Sequence, residues 1–482
     1  MKEKFRCHPS IILEKLSGII TFFIILILPN LDDVAELLTK GGYIQNELIV
    51  IGILGLLFLI IIYNILIWSK TFISFEENTI IIKRNTIISK ENTYGIKNIS
   101  NINLEQNIFE RIIGTYKVKI DTDSLSTAND TDIEIVLSKE KAHEFKRNIM
   151  TIMDKETNSD AVLDFTQYEN IEYDLVYSNK DVVNHCFYNL STGAIIFNLA
   201  IILFTIFISE EIKNLDGILG IGLLILGYVI YILQLILGDF FKYYKFSIKR
   251  FEDKLYISYG MFKKRKYTVP INRINAINIK QPVISRIFRR YSVDIVTIGV
   301  GDNVAEGSQI LLSSNKEDFM KNIKILLPEL SLGENMILQK EPKKSLIIRF
   351  INLIIFMIIL GITLYSISRL DYEISPVFIL ASGLVVFLGG LLTSYMSYIT
   401  RGIHLSKDKL TISYGVFAKK ISIIKYRKVQ YINVRENPIS SRLNLCKGEI
   451  YILASLGNDM RTIGYYDECL FEKLGNKIIN II

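Results

Sequence analysis

Three uncharged apolar runs constrain this chain more than any other feature of its sequence. Leu48–Ser69 reads "LIVIGILGLLFLIIIYNILIWS", Gly217–Gly238 reads "GILGIGLLILGYVIYILQLILG", and Pro376–Ile399 is the third. A helix needs about 20 such residues to cross the hydrocarbon core of a bilayer. A shorter apolar run precedes each one: Leu16–Leu31, Thr192–Ser209 and Phe350–Ser366. The pattern predicts six spans arranged as three hairpins. The first run has Glu14 and Lys15 at its entry and is followed by Pro29 and Asn30 without a small-x-small cleavage site. It therefore reads as a retained helix and not as a signal peptide.

Half of the 482 residues are hydrophobic, yet 22% are charged. That combination calls for membrane spans mixed with soluble domains. The net charge of +7 is too diffuse to argue for nucleic acid and suits a protein beside an anionic membrane surface. The short connections inside the hairpins carry one basic residue each, Lys40, Lys213 and Arg369, among acids such as Asp32, Glu210 and Asp371. The opposite side carries Lys2, Lys4, Arg6 and Lys15, and later Lys242, Lys245, Lys249 and Arg250. By the positive-inside rule both termini and all long segments are expected in the cytoplasm, with the chain in the bacterial cell membrane. Cys7, Cys186, Cys446 and Cys469 form no CxxC pair. They read as reduced thiols, with neither a zinc site nor a disulfide framework implied.

The segments after the hairpins are β in texture, with short Ile-, Val- and Tyr-rich runs between turns of Gly, Asn and Asp. Two of them repeat a phrase: "DKLYISYG" from Asp253 and "DKLTISYG" from Asp408. Each alternates apolar and polar residues and stops at Gly260 or Gly415, where a hairpin turn needs positive φ. A corner then follows: "NLEQNIFERIIGTYKVKI" from Asn103, "NIKQPVISRIFRRYSVDI" from Asn278 and "NVRENPISSRLNLCKGEI" from Asn433. Asn107, Pro282 and Pro438 align, as do Arg111, Arg286 and Arg442 four residues on. The offset of 175 residues between Arg111 and Arg286 also carries Gly260 back to Asn85, an asparagine in place of a left-handed glycine. Agreement of separate anchors on one offset points to duplication.

Each module closes with an amphipathic helix, after Ser138, from a Ser314/Glu317 capping box, and from an Asp467 cap. The expected organisation is hairpin 11–69, module 70–156, linker 157–190, hairpin 191–239, module 240–330, linker 331–345, hairpin 346–399 and module 400–482. Whether the first linker is extended or adds an edge strand stays open.

Paired spans followed by "NPxxxR"-type corners and a strands-then-helix module resemble the bacterial pleckstrin-homology (PH) membrane proteins of the YdbS/YdbT type, in their three-module form. QPVISR at 281–286 and NPISSR at 437–442 carry the likeness, and Asn107–Ile108 departs from it by lacking the proline. The resemblance covers nearly the full length. It implies three repeats of a transmembrane hairpin plus a PH-like bent antiparallel sheet of about seven strands, with a helix plugging one corner. It also implies a link to withstanding membrane-directed antimicrobial peptides, and a smaller PH-domain relative as a partner.

The basic stretch after each turn holds Lys263, Lys264, Arg265 and Lys266 in one copy, and Lys419, Lys420, Lys425, Arg427 and Lys428 in another. In PH-like folds this hairpin is where anionic headgroups bind, and each cation near an anionic surface adds about 1 kcal/mol. Ordinary solvated charge that enforces topology explains the same residues. The corner arginines could hold a phosphate bidentately or clamp the corner through backbone carbonyls, and a corner needs the clamp whatever the protein binds. His8, His143, His185 and His404 have no convergent partners at metal-ligand spacing. No GxSxG, HExxH or Walker A pattern occurs, and the Gly-rich 299–307 reads as a hairpin loop. No catalytic residue, metal or cofactor is expected. The spans carry Asn64, Asn198 and Gln234 but no charge at mid-depth, which disfavours ion coupling.

The leading function is a non-enzymatic membrane scaffold whose PH-like domains engage anionic lipid or a membrane protein partner, with envelope stress as its setting. The alternative is a six-span transporter or lipid-handling protein. An enzyme acting at the membrane has no residue to support it.

Overall fold

The computed structural model describes residues 4–27, 47–76, 78–86, 88–122, 133–156, 172–198, 200–201, 215–297, 309–331, 336–368, 376–454 and 457–479. Two compact bodies make up the chain. One comprises Met1–Thr127, Thr131–Glu172 and Phe262–Lys266; the other comprises Ala128–Asp130, Tyr173–Met261 and Tyr267–Ile482.

The first body starts with helices α1 (Ser10–Ile27) and α2 (Glu47–Ser69). Strands β1 (Thr71–Glu76), β2 (Thr79–Asn85) and β3 (Ser89–Gly95) follow as an antiparallel meander, and Phe5 bridges to Ile73 at the outer side of β1. A 3₁₀ turn at Ile96–Asn98 leads into a second meander of β4 (Ile99–Gln106), β5 (Thr115–Thr122) and β6 (Ile133–Ser138). Between β4 and β5 lies the short helix α3 (Ile108–Ile113), and α4 (Lys139–Glu156) closes the module. Ile73, Ile80, Ile102, Val118, Ile120 and Ile135 from the two sheets meet Phe145 and Ile149 of α4 in one core. The three-and-four spacing of the apolar residues in α4 puts them on that single face.

The second body holds two modules of the same build, except for Phe262–Lys266, which belong to the first body. The first has α5 (Asn179–Tyr188), α6 (Leu215–Tyr243), β7 (Leu175–Val176), β8 (Ser247–Phe251), β9 (Lys254–Tyr259), β10 (Lys264–Pro270), β11 (Ala276–Gln281), α7 (Val283–Ile287), β12 (Tyr291–Val296), β13 (Gln309–Ser314) and α8 (Lys316–Leu326). The second has β14 (Gln339–Lys340), α9 (Ser345–Ser368), α10 (Pro376–Thr400), β15 (Gly402–Leu405), β16 (Lys409–Gly415), β17 (Lys419–Lys425), β18 (Val429–Arg435), α11 (Pro438–Arg442), β19 (Cys446–Ala454), β20 (Gly457–Tyr466) and α12 (Glu468–Ile479). Both linkers contribute an edge strand: β7 pairs with β8, and β14 pairs with β15.

These two modules are joined strand to strand. β11 and β17 pair antiparallel from Ala276↔Ile424 to Gln281↔Lys419, giving a continuous order β13-β12-β11-β17-β16-β15-β14. Because side chains alternate across a strand, β17 serves two interiors. Ile421 and Ile423 lie in one core with Ile277, Ile279 and Val293, whereas Ile424 lies in the other with Ile412, and Ala276 and Val296 join it there. The Ser422 hydroxyl donates to Asn278 Oδ1 at 2.8 Å inside the joint.

Glu341 ties the third helix pair to its sheet. Its buried carboxylate accepts from the Tyr465 backbone N–H at 2.9 Å, from Arg401 Nη1 at 3.4 Å and from the Ser345 hydroxyl at 3.3 Å, and Arg349 of α9 pairs with it as well. Gly464 makes room for this: its φ is +110°, and a Cβ there would lie 2.1 Å from Glu341 Oε1.

Among the described residues, three helices are long and apolar enough to cross a membrane: Ile225–Tyr243, Ser345–Ser366 and Leu380–Thr400. The run Leu48–Ser69 lies within α2, and Leu16–Leu31 is helical to Ile27, with 28–31 outside the described residues. Half of Thr192–Ser209 and residues 32–46, 210–214 and 369–375 of the connections within hairpins also lie outside them. Gly260 and Gly415 do turn with positive φ, +108° and +125°.

Three local readings are corrected. Asn85 is the last residue of β2, pairs with Ser89 and takes no left-handed conformation. The cap of α8 is Asn315, whose side chain accepts from the Asp318 N–H, one residue past the expected Ser314. The corner arginines are also one residue out of step. Ser285 and Ser440 are fully buried and accept equivalent backbone bonds from Arg290 and Leu445, so Arg286 matches Ser441, and Arg442 matches Ile287. A proline at N1 of α11, behind an Asn437 cap, lets the sequence motif slide by one while the backbone does not.

Candidate membrane-proximal site

The basic runs singled out from sequence lie along strand joints. In the first body, Lys264, Arg265 and Lys266 pair with Gln106, Glu105 and Leu104 of β4. Glu105 is the hub, with its buried carboxylate 2.9 Å from Lys263, 3.4 Å from Lys119 and 3.9 Å from Arg265. Burial pushes that carboxyl up, but the charges of Lys119, Lys263 and Arg265 outweigh it and hold it below the ordinary range. Lys419 and Lys420 sit on β17 against β11, and burial pushes both ammonium groups down. Lys425 ends β17 opposite Lys409; Lys428 donates to the Asn272 carbonyl at 2.8 Å, and Arg427 is exposed beside it.

The corner helices show what their arginine does. Pro282 occupies the N-cap of α7, Asn107 caps α3 through a capping box with Glu110, and Pro438 is the first residue of α11. Arg286 Nη1 donates to the Val416 and Phe417 carbonyls at 3.0 and 3.1 Å and to Thr400 Oγ1 at 3.1 Å. It clamps the β16–β17 turn whose glycine is Gly415. Arg111 has the matching place in α3, and Arg442 is exposed on α11.

An open cavity of about 200 Å³ lies in the first body, where the ends of α1 and α2 meet the sheets. Its apolar wall is Ile11, Ile12, Ile67, Ile73, Ile82 and Ile133; its polar rim includes Lys15, Asn64, Arg84 and Asn92. Trp68, at the end of the apolar run of α2, lines it and donates from Nε1 to the Cys7 carbonyl at 2.8 Å. Two contacts fix the frame: Glu14 of α1 pairs with Lys117 of β5, and the Arg6 guanidinium lies 4.4 Å over the Phe72 ring. The one acid in the lining, Glu134, already faces Lys117 and Lys119 at 3.8 and 3.6 Å. Lys15 and Arg84 have no carboxylate partner among the described residues, while neighbouring Lys83 is paired with Glu91 at 2.7 Å. Burial pushes the Cys7 thiol up, so it lines the cavity in its neutral form. Two cations with no carboxylate partner among the described residues, a tryptophan and an apolar wall at a helix end can take a group with a charged head and an apolar body.

Sequence reading took Lys15 as a marker of topology and did not join it to Arg84 or Trp68. The signal available was Trp68, the only tryptophan in the chain, at the end of an apolar run. No group of three His, Cys, Asp or Glu side chains converges among the described residues.

Comparison with known proteins decides the family. The family model described as "Bacterial PH domain" matches residues 23–152, 197–328 and 348–467, one match per module. The chain belongs to the bacterial PH domain family. It is also similar to the UPF0699 transmembrane protein YdbT of Bacillus subtilis (strain 168), with 24% identity over 223 residues. That match spans 46% of this chain and 42% of the relative, so less than half of either is aligned. No solved structure matches. The PH-domain repeats, antiparallel sheets and three apolar helices fit the architecture expected from sequence.

Proposed function

We propose that this bacterial PH domain protein is a membrane-anchored binding protein, not a catalyst. Three helical hairpins cross the cell membrane, the modules face the cytoplasm, and the cavity of the first module takes the phosphate-bearing headgroup of an anionic lipid. The observation that carries this reading is the pairing of Lys15 and Arg84, which have no carboxylate partner among the described residues, with Trp68 around an apolar wall. The transmembrane relative and the apolar helices support the anchoring. The basic strand residues take a structural part in it, since Lys263 and Arg265 are committed to Glu105.

Trp68 reports on its own site because the chain has one tryptophan. Purified full-length chain in detergent is titrated with short-chain phosphatidylglycerol, phosphatidylcholine or inorganic phosphate while tryptophan emission is followed. Phosphatidylglycerol should give a saturable shift, and the double variant Lys15→Ala/Arg84→Ala should raise its half-point roughly thirtyfold, at about 1 kcal/mol per cation. An equal response to phosphatidylcholine, or no effect of the variant, contradicts the headgroup site. A response to inorganic phosphate alone assigns the site to a soluble anion.

A further inference from the structure

Each module presents the first strand of its second sheet as an edge, and in this chain that edge is used repeatedly. β11 takes β17, and β4 takes Lys264–Lys266 of β10. The registers are the same by repeat position: Asn278 faces Ser422, and the pairs Gln106↔Lys264 and Gln281↔Lys419 are equivalent. The third copy of the edge, β18, pairs only with β19, so its outer side is open among the described residues. Val434 there is 43% exposed, whereas its equivalent Ile279 is 1% exposed under β17. At the other end of the chain, β3 pairs only with β2 among the described residues and is the first-sheet strand equivalent to β10 and β17.

The charges of the joint are also in place. In the β11–β17 joint Lys280 lies 3.1 Å from Asp294 and faces Lys420 across the strands. At the open edge Arg435 lies 3.5 Å and Lys447 3.6 Å from Glu449, and the joint's further cation comes from the incoming strand. β3 carries it: Lys90 stands where β10 has Arg265 and β17 has Lys420. Glu91 of β3 would face Val434, and β10 already puts a charged residue, Lys266, opposite Leu104 at that position.

We propose that a second copy of this chain docks its β3 on β18, in the register that sets Asn92 opposite Asn433 and brings Lys90 to Glu449. The contact is head to tail, so it does not close on itself in a two-fold dimer and extends to rings or rows. It is weaker than the internal joint, because Ser441 replaces the arginine that clamps the partner turn. Confinement to one membrane plane raises the effective concentration enough for a reversible contact of this kind to form. It shares Asn92 with the rim of the first-module cavity but is carried by the strand edges and not by the cavity's cations.

Full-length chains with Cys469→Ser and either Asn92→Cys or Asn433→Cys are co-expressed under different tags, and membranes are oxidised mildly. The mixed disulfide between the two variants should exceed either same-variant disulfide at least tenfold. Lys90→Glu should lower it severalfold and Lys90→Arg should retain it, which separates docking from random collision. Predominant Asn433→Cys homodimers would show symmetric β18 pairing and overturn the proposal. So would mixed trapping no higher than the same-variant controls, which would leave the edge to a different protein or to solvent.

Discussion

His185 is held neutral by its surroundings, and this has a cost at low pH. Its Nδ1 accepts the Ser313 N–H at 3.0 Å, its ring packs edge-on against Tyr243, and it is fully buried. Burial, with the positive charges of Lys280 and Lys242, pushes its pKa down to about 3. The folded value lies below the unfolded one, so the stability this residue contributes is complete above about pH 6.5. It falls as pH drops from there toward 3, by up to about 1.4 kcal/mol per pH unit. Denaturation followed between pH 7 and 5 should show that slope, and His185→Gln should flatten it. Glu341→Gln should cost about 3 kcal/mol or more in thermal or chemical unfolding, because two arginines lose the charge they were packed around. Neither role was legible in the sequence. A lone histidine before a span reads as interfacial, and nothing local tells that the chain will fold Ser313 over it.

Among the elements, the turns and closing helices were readable and the joints were not. Gly260 and Gly415 announce their turns because only glycine takes that φ cheaply, and the apolar spacing of Phe145, Ile149 and Ile152 announces a helix on a sheet. The pairing of β11 with β17 has no such signature. Periodicity marks a strand and its faces but says nothing of which distant strand lies beside it. For the same reason Lys263–Lys266 read as solvated or lipid-facing charge, although Glu105 claims two of the four. Arg286→Ala should destabilise the second body by about 1–3 kcal/mol, since one guanidinium nitrogen serves two carbonyls and a hydroxyl. Ile423→Ala should cost about 2–5 kcal/mol, and amide exchange should rise on β11 as well as β17, because that side chain belongs to the core of the preceding module.

At the scale of the whole molecule, the module boundaries expected from sequence near 330–345 do not coincide with independent folding units. Ile421 and Ile423 fill one module's core, and Ala276 and Val296 fill the next one's. A fragment 400–482 should therefore expose Ala276's vacated place and aggregate, whereas a fragment spanning both modules should unfold in a single transition. The repeat of the PH-type module, by contrast, was legible, because internal offsets survive without any knowledge of tertiary contacts. The proposed topology places all three modules on one side of a membrane. The direct test is labelling of single cysteines by an impermeant maleimide, in a Cys469→Ser background, in intact and then permeabilised cells. Cysteines replacing Lys40, Lys213 and Arg369 should react in intact cells, and those replacing Lys254 and Lys407 only after permeabilisation. Reaction of Lys254→Cys or Lys407→Cys in intact cells, or a different sidedness for the three connections, would contradict three same-sided hairpins.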